Sequence, residues 1–248
     1  KKLLSYFQGS KKEWKEKDQT PLRTMIPEDR RKGFPVRDIL NTIADEDSFL
    51  EMKKIFGRSV ITGFMRIEGR PFAVLANDCQ QLGGAIDSSA ADKAANFIEI
   101  CSTHGLPIIS FVDTPGVMVG PDSEKEGAFR RMGELFKHGA RIKTPLVGII
   151  LRRGYGLGAM AMMGGSFVDP IYSASWPNGE FGGMGLEGYV KLGFKKELEA
   201  EETEEKKKAL FDKLVARMYE VGKATEAAAH LEMDAVIDPA STRETILK

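Results

Sequence analysis

Three apolar runs, LPIISFVD (106–113), PLVGIIL (145–151) and IYSASW (171–176), each lead straight into a glycine-rich connection. Unbroken runs rich in β-branched residues read as strands buried on both faces. Of the 26 glycines in the chain, 17 lie between Gly105 and Gly188. A residue without Cβ lets main chain approach main chain or ligand closely. The pattern therefore predicts buried strands whose exits carry main-chain rather than side-chain chemistry, at the strand ends where ligands gather in such folds.

The remaining segments alternate with these strands. Val36, Ile39, Leu40, Ile43 and Ala44 fall at helical spacing after Pro35, and Asp47–Met52 suggests a second short helix. SVITGFMRI (59–67), EGR and PFAVLAN (71–77) read as a hairpin. Ser88 or Ser89 can cap a helix running to about His104, with Ala91, Ala94, Ala95, Ile98 and Cys101 inward. Further helices are expected over 123–142 and in GLGAMAMMGG (156–165), and DAVID (234–238) reads as a last short strand before a C-terminal helix. The charged stretch 195–213 mixes both signs, and Leu210, Phe211, Leu214, Val215 and Met218 give one apolar face, so it reads as a solvated helix rather than a charged tail. Strands alternating with helices make an α/β protein. Residues 1–33 read as a lead-in or linker and 34–248 as the domain. The chain begins at Lys1 without methionine and reads as a fragment.

Composition removes several classes. At 248 residues, 42% hydrophobic and 29% charged, the chain has the make-up of a soluble globular protein. Lys plus Arg and Asp plus Glu are both 36, which argues against nucleic-acid binding, a task that usually brings a basic surplus. LVGIIL and GLGAMAMMGG are too short to span a bilayer, and the basic N-terminus makes a poor signal peptide. Cys79 and Cys101 read as reduced thiols, so the expected location is cytoplasmic.

No side-chain nucleophile stands out. VDTPGVMVG (112–120) contains a DxxG pattern, but no GxxxxGK[ST] loop accompanies it. Gly156-x-Gly158-x-x-Ala161 follows a strand, as a dinucleotide fingerprint does, with Asp169 and Glu180 as candidate acids. The same glycines serve close helix packing, or an oxyanion hole at a helix start. Glu180 and Glu187 are candidate acids that read more simply as cap or surface residues. His104, His138 and His230 lack metal-ligand spacing, and no GxSxG elbow is present.

Taken together, NDCQQLGGAIDSSAADKAANFIEIC (77–101), VDTPGVMVG, HGARIKTPLVGIILRRGYGLGAMAM (138–162) and WPNGEFGGMGLEG (176–188) resemble the carboxyltransferase component of biotin-dependent acyl-CoA carboxylases, specifically its C-terminal half. IPEDRRKGFPVRDIL and AVIDPASTRETI extend the likeness from about Ile26 to the end. The resemblance implies a crotonase-type spiral of strand-strand-helix units. It implies carboxyl transfer from carboxybiotin to an acyl-CoA, with coenzyme A thioester as substrate. The partners implied are a biotin carboxyl carrier domain, a biotin carboxylase and a coenzyme A-binding N-domain, within a homo-oligomer. The protein would supply position and backbone oxyanion holes, cofactor and substrate the base and nucleophile. Ungapped alignment of the family's YGGA-like turn puts the oxyanion amides on Leu157 and Gly158, and a shift by one puts them on Gly158 and Ala159. Thr114, Pro115, Gly116, Tyr155 and Gly156 would line the biotin side, and Met160 would sit where the family discriminates among acyl chains. A decarboxylase of the same family, a NAD-binding dehydrogenase and a non-catalytic docking half are the alternatives.

Overall fold

The computed structural model describes residues 1–248 and contains one eight-stranded sheet. β1 (Leu50–Met52), β2 (Val60–Ile67) and β3 (Arg70–Asn77) are antiparallel neighbours, β2 and β3 joined by the turn at Glu68-Gly69. β4 (Ile108–Thr114), β5 (Leu146–Tyr155) and β6 (Tyr172–Ser175) continue beside β3 in parallel. β7 (Glu180–Gly182) lies off this path, and β8 (Ala235–Val236) closes the edge beside β6. On the side away from β4, β5 serves two neighbours. Val147–Ile150 pair with β6, and Arg153–Tyr155 pair with β7. A register shift between Val112 and Thr114 on β4 accompanies this change of direction.

Eleven α-helices surround the sheet: α1 (Lys2–Ser5), α2 (Val36–Ile43), α3 (Ser88–Thr103), α4 (Pro121–Lys125), α5 (Ala128–Gly139), α6 (Gly156–Met162), α7 (Leu186–Gly193), α8 (Lys195–Glu199), α9 (Glu204–Val221), α10 (Ala224–Ala229) and α11 (Thr242–Leu247). The units β2–β3–α3 and β6–β7–α7 each run strand, strand, helix, as the spiral requires. Period-2 alternation sorts the strand residues into two apolar layers. Ile108, Val112, Leu146 and Ile150 pack with Ala91, Ala94 and Ile98 of α3, Leu135 of α5 and Ala159 of α6. Ile109, Phe111, Ile149 and Leu151 pack on the other face with Ile39, Leu40 and Ile43 of α2 and with Trp176. Each of the Val, Leu, Ile and Phe side chains among them contributes about 1.5–3 kcal/mol by its burial. Residues 1–33 lie against this body: Tyr6 stacks on Phe64 at 5.4 Å, and Leu22 and Ile26 enter the second layer.

Four details depart from expectation. Residues 50–52 form a strand, not part of a helix, because β2 offers a free edge and Leu50 to Met52 pair with Phe64 to Thr62. Tertiary pairing decides a run too short for periodicity to decide. The helix expected over 123–142 is two, α4 and α5, divided at Gly127 with φ of +74°. The cap of α3 is Asp87, whose carboxylate accepts the Ala90 amide at 2.8 Å, rather than Ser88 or Ser89. β5 continues past Leu151 through Arg152-Arg153-Gly154-Tyr155, and the connection after Trp176 contains the short strand β7.

Candidate active site

The glycine-rich connections meet at the carboxyl ends of β4, β5 and β7. A Cβ on Gly158 would lie 2.6 Å from the carbonyl carbon of Gly116 and 2.7 Å from its Cα. A Cβ on Gly156, where φ is +57°, would lie 2.6 Å from the Gly183 carbonyl oxygen. Both distances are too short for any side chain, so the three connections touch through bare main chain. Thr114 holds the first in shape: its hydroxyl accepts the Gly116 amide at 3.1 Å and donates to the Gly116 carbonyl at 3.0 Å. The residues expected at 114–116 and at 155–160 thus share one place.

α6 starts at this junction. Tyr155 is its N-cap, and no side chain caps the helix. The first amides of an α-helix have no intrahelical acceptor and carry partial positive charge. The Leu157 side chain is 55% exposed, whereas Gly158 and Ala159 are buried and Met160 is half-buried. Of the candidate donors of this turn, Leu157 alone is exposed, Gly158 sits against the backbone of the neighbouring loop, and Ala159 is buried. Neither cysteine offers a thiolate, since burial pushes Cys79 up to about 11 and Cys101 up to about 12.

Two charged groups beneath the turn escape a reading of motifs. Asp113 is wholly buried and accepts from Arg153 Nε at 2.8 Å, Arg153 Nη2 at 2.9 Å, the Arg153 amide at 3.0 Å and Arg152 Nη2 at 3.0 Å. Burial alone would raise its pKa, but the hydrogen bonds and charges of Arg153 and Arg152 outweigh burial and hold it below the usual carboxylate range. Arg152 also donates to the Lys32 carbonyl and lies over the Phe34 ring, and Arg153 donates to the Gly83 carbonyl. This cluster ties β4 to β5 directly below their exits. The available signal was an aspartate and two arginines inside otherwise apolar strands.

Glu180 is not a cap or surface residue. It is 7% exposed, and its carboxylate accepts from the Tyr155 hydroxyl at 2.9 Å and from Arg30 Nε. This also counts against the dinucleotide reading. Asp169 lies before β6 rather than at its end, Glu180 is engaged by Tyr155 and Arg30, and the fingerprint glycines pack on Gly116 and Gly183.

The fold is that of the crotonase-like carboxyltransferases. The carboxyl transferase domain family matches residues 3–248, and the chain belongs to that family. It is 32% identical over 228 residues to the methylmalonyl-CoA carboxyltransferase 12S subunit of Propionibacterium freudenreichii subsp. shermanii, a match covering 92% of this chain and 43% of the relative. It is 33% identical over 233 residues to the biotin-dependent acetyl-/propionyl-coenzyme A carboxylase beta6 subunit of Mycobacterium tuberculosis, covering 93% of this chain and 49% of the relative. Among solved structures, a single-chain, multi-domain long-chain acyl-CoA carboxylase matches with a TM-score of 0.91 and 47% identity, over 99% of this chain and 24% of that one. The transcarboxylase 12S hexamer with methylmalonyl-coenzyme A bound matches with a TM-score of 0.85 and 29% identity, over 96% of this chain and 45% of that one. The chain spans less than half the length of each of these relatives. No helix is long and apolar enough to cross a membrane.

Proposed function

We propose that this chain is the biotin-side, C-terminal half of an acyl-CoA carboxyltransferase. The observation that carries the reading is the uncapped α6 turn, wedged main chain to main chain against Gly116 and Gly183. Residues 114–116 and 155–156 bring two loops together main chain to main chain beside the start of α6, and on this reading the biotin ring rests against that uncharged surface. Carboxybiotin, presented by a carrier domain charged by a biotin carboxylase, supplies the carboxyl group and then a ring nitrogen that accepts the acyl α-proton. The chain's own part is electrostatic. The amides of Leu157 and Gly158, or of Gly158 and Ala159 one residue on, donate to the developing oxyanion, and the helix start adds partial positive charge. Thr114 and the Asp113–Arg152–Arg153 cluster keep these donors fixed before reaction, so little reorganisation is needed. Met160, half-buried at the end of this turn, bears on the acyl chain.

The coenzyme A thioester is held by a separate N-domain, in an oligomer that works in the cytoplasm. The test is transfer of a labelled carboxyl group from a carboxybiotinyl carrier to short and long acyl-CoAs. Label should reach acyl-CoA when this chain is joined or mixed with the coenzyme A-binding half, and not with either half alone. Efficient transfer by the isolated chain, or none by the reconstituted pair, overturns the reading.

A further inference from the structure

We propose that Glu180 is a positioning residue for the α6 turn: held by Arg30, its carboxylate fixes the Tyr155 hydroxyl and so the backbone from which Gly156 to Ala159 depart. The inference rests on reading that turn as the oxyanion-binding element. β7 supports the turn twice. Its backbone runs beside β5, with Arg153 opposite Glu180 and Tyr155 opposite Gly182, and the following residue, Gly183, abuts Gly156. Its side chain then reaches Tyr155, the N-cap of α6, at 2.9 Å.

Tyr155 is 4% exposed, so its ring cannot reorient without opening the junction. Burial raises its pKa, and the neighbouring Glu180 raises it further, so the phenol remains a donor across the working range. A buried carboxylate without a counter-charge is costly, and Arg30 supplies that charge. Arg30 is itself placed by the Tyr219 ring, 4.0 Å below its guanidinium, and Tyr219 donates to Glu187 at 2.6 Å. The chain Glu187–Tyr219–Arg30–Glu180–Tyr155 thus links α7, α9, the lead-in and β7 to the first residue of the turn. Both carboxylate oxygens of Glu180 are engaged, which suits placement rather than proton transfer.

The experiment measures carboxyl transfer and melting on the full-length polypeptide carrying this segment, with its carrier. Tyr155→Phe keeps the ring and the Arg30–Glu180 pair and removes only the hydroxyl link. We expect kcat per folded molecule to fall about tenfold or more, since displacement of a catalytic group by about 1 Å costs up to about 10²-fold. KM for acyl-CoA should stay within about twofold, because uniform binding is untouched. In a Glu180→Ala background the further loss from Tyr155→Phe should vanish. Arg30→Met should lower kcat in the same way, because it frees the Glu180 carboxylate from its anchor, and Arg30→Lys should restore it in part. Near-native kcat in folded Tyr155→Phe, additive losses in the double variant, or a folded Arg30→Met variant with the parent's kcat would each overturn the inference. If Leu157→Pro abolishes turnover while Tyr155→Phe does not, the positioning role alone fails. An unmodified polypeptide that transfers no carboxyl group removes the functional reading and this inference together.

Discussion

At Gly158 two demands fall on one residue. A side chain there would strike the Gly116 backbone at 2.6 Å, so Gly158→Val must both part the loops and disturb any oxyanion donor. Leu157 separates the two, because its side chain is 55% exposed and it stands in the first turn of α6. Proline is tolerated in a first helical turn and deletes one amide donor. Leu157→Pro should therefore lower kcat by about 10²–10³ if Leu157 and Gly158 form the hole, with little change in melting temperature. Near-native turnover would move the hole to Gly158 and Ala159. Asp113 allows a second forecast. Its folded pKa lies below the unfolded value, so its stabilisation is complete above about pH 3.9 and is lost as pH falls through the lower folded value. Asp113→Asn should cost roughly 3–5 kcal/mol at neutral pH, leaving buried Arg152 and partly buried Arg153 uncompensated. Denaturant unfolding should show that gap narrowing below about pH 4, and a gap independent of pH would refute the ion-pair account.

The elements that sequence made legible are those whose burial imposes a pattern. Ile108–Thr114 and the Leu146–Leu151 part of β5 are covered on both faces, α2 keeps Val36, Ile39, Leu40 and Ile43 inward, and the β2–β3 hairpin follows its turn. The strands β1 and β7, three residues each, were not legible, because their existence depends on an edge supplied by β2 and by β5. The site divides in the same way. The glycine turns announce themselves by composition, and the structure places 114–116 against 156–158. The Glu180–Tyr155–Arg30 link joins residues 150 and 25 positions apart, and no local spacing encodes it. Local chemistry also sets the start of α3, the helix that covers one face of the sheet. Asp87 accepts the Ala90 amide and, through the same carboxylate, the Ser89 hydroxyl. Asp87→Ala should cost about 1 kcal/mol in urea unfolding, and Asp87→Asn or Asp87→Ser much less. An equal loss in all three would mean that Asp87 acts by charge rather than as a cap.

On the scale of the molecule, the segments that leave β4 and β5 expose large apolar side chains. Val119 is 68% exposed, Phe129 58% and Leu157 55%, on the segments that lead out of β4 and β5. The helix pair α4–α5 that carries Phe129 follows the Gly116 loop directly. Large apolar side chains exposed on the segments that flank a site are where another chain or domain would find surface to cover. An oxyanion donor at such a surface also needs a cover, since backbone donors stabilise charge most where water is excluded. Under the function proposed above, the cover would be the coenzyme A-binding half, from the same or a second subunit, closing over Val119, Phe129 and Leu157. The full-length polypeptide should then sediment as a dimer or a larger ring at micromolar concentration. Phe129→Glu should shift it towards smaller species and lower its turnover, with secondary structure and melting of the isolated chain unchanged. Turnover should return at higher protein concentration if the lesion is in association, because mass action favours the covered state. A full-length polypeptide that is strictly monomeric and fully active, or a Phe129→Glu variant with native mass and turnover, would show that this apolar surface stays open to solvent during catalysis.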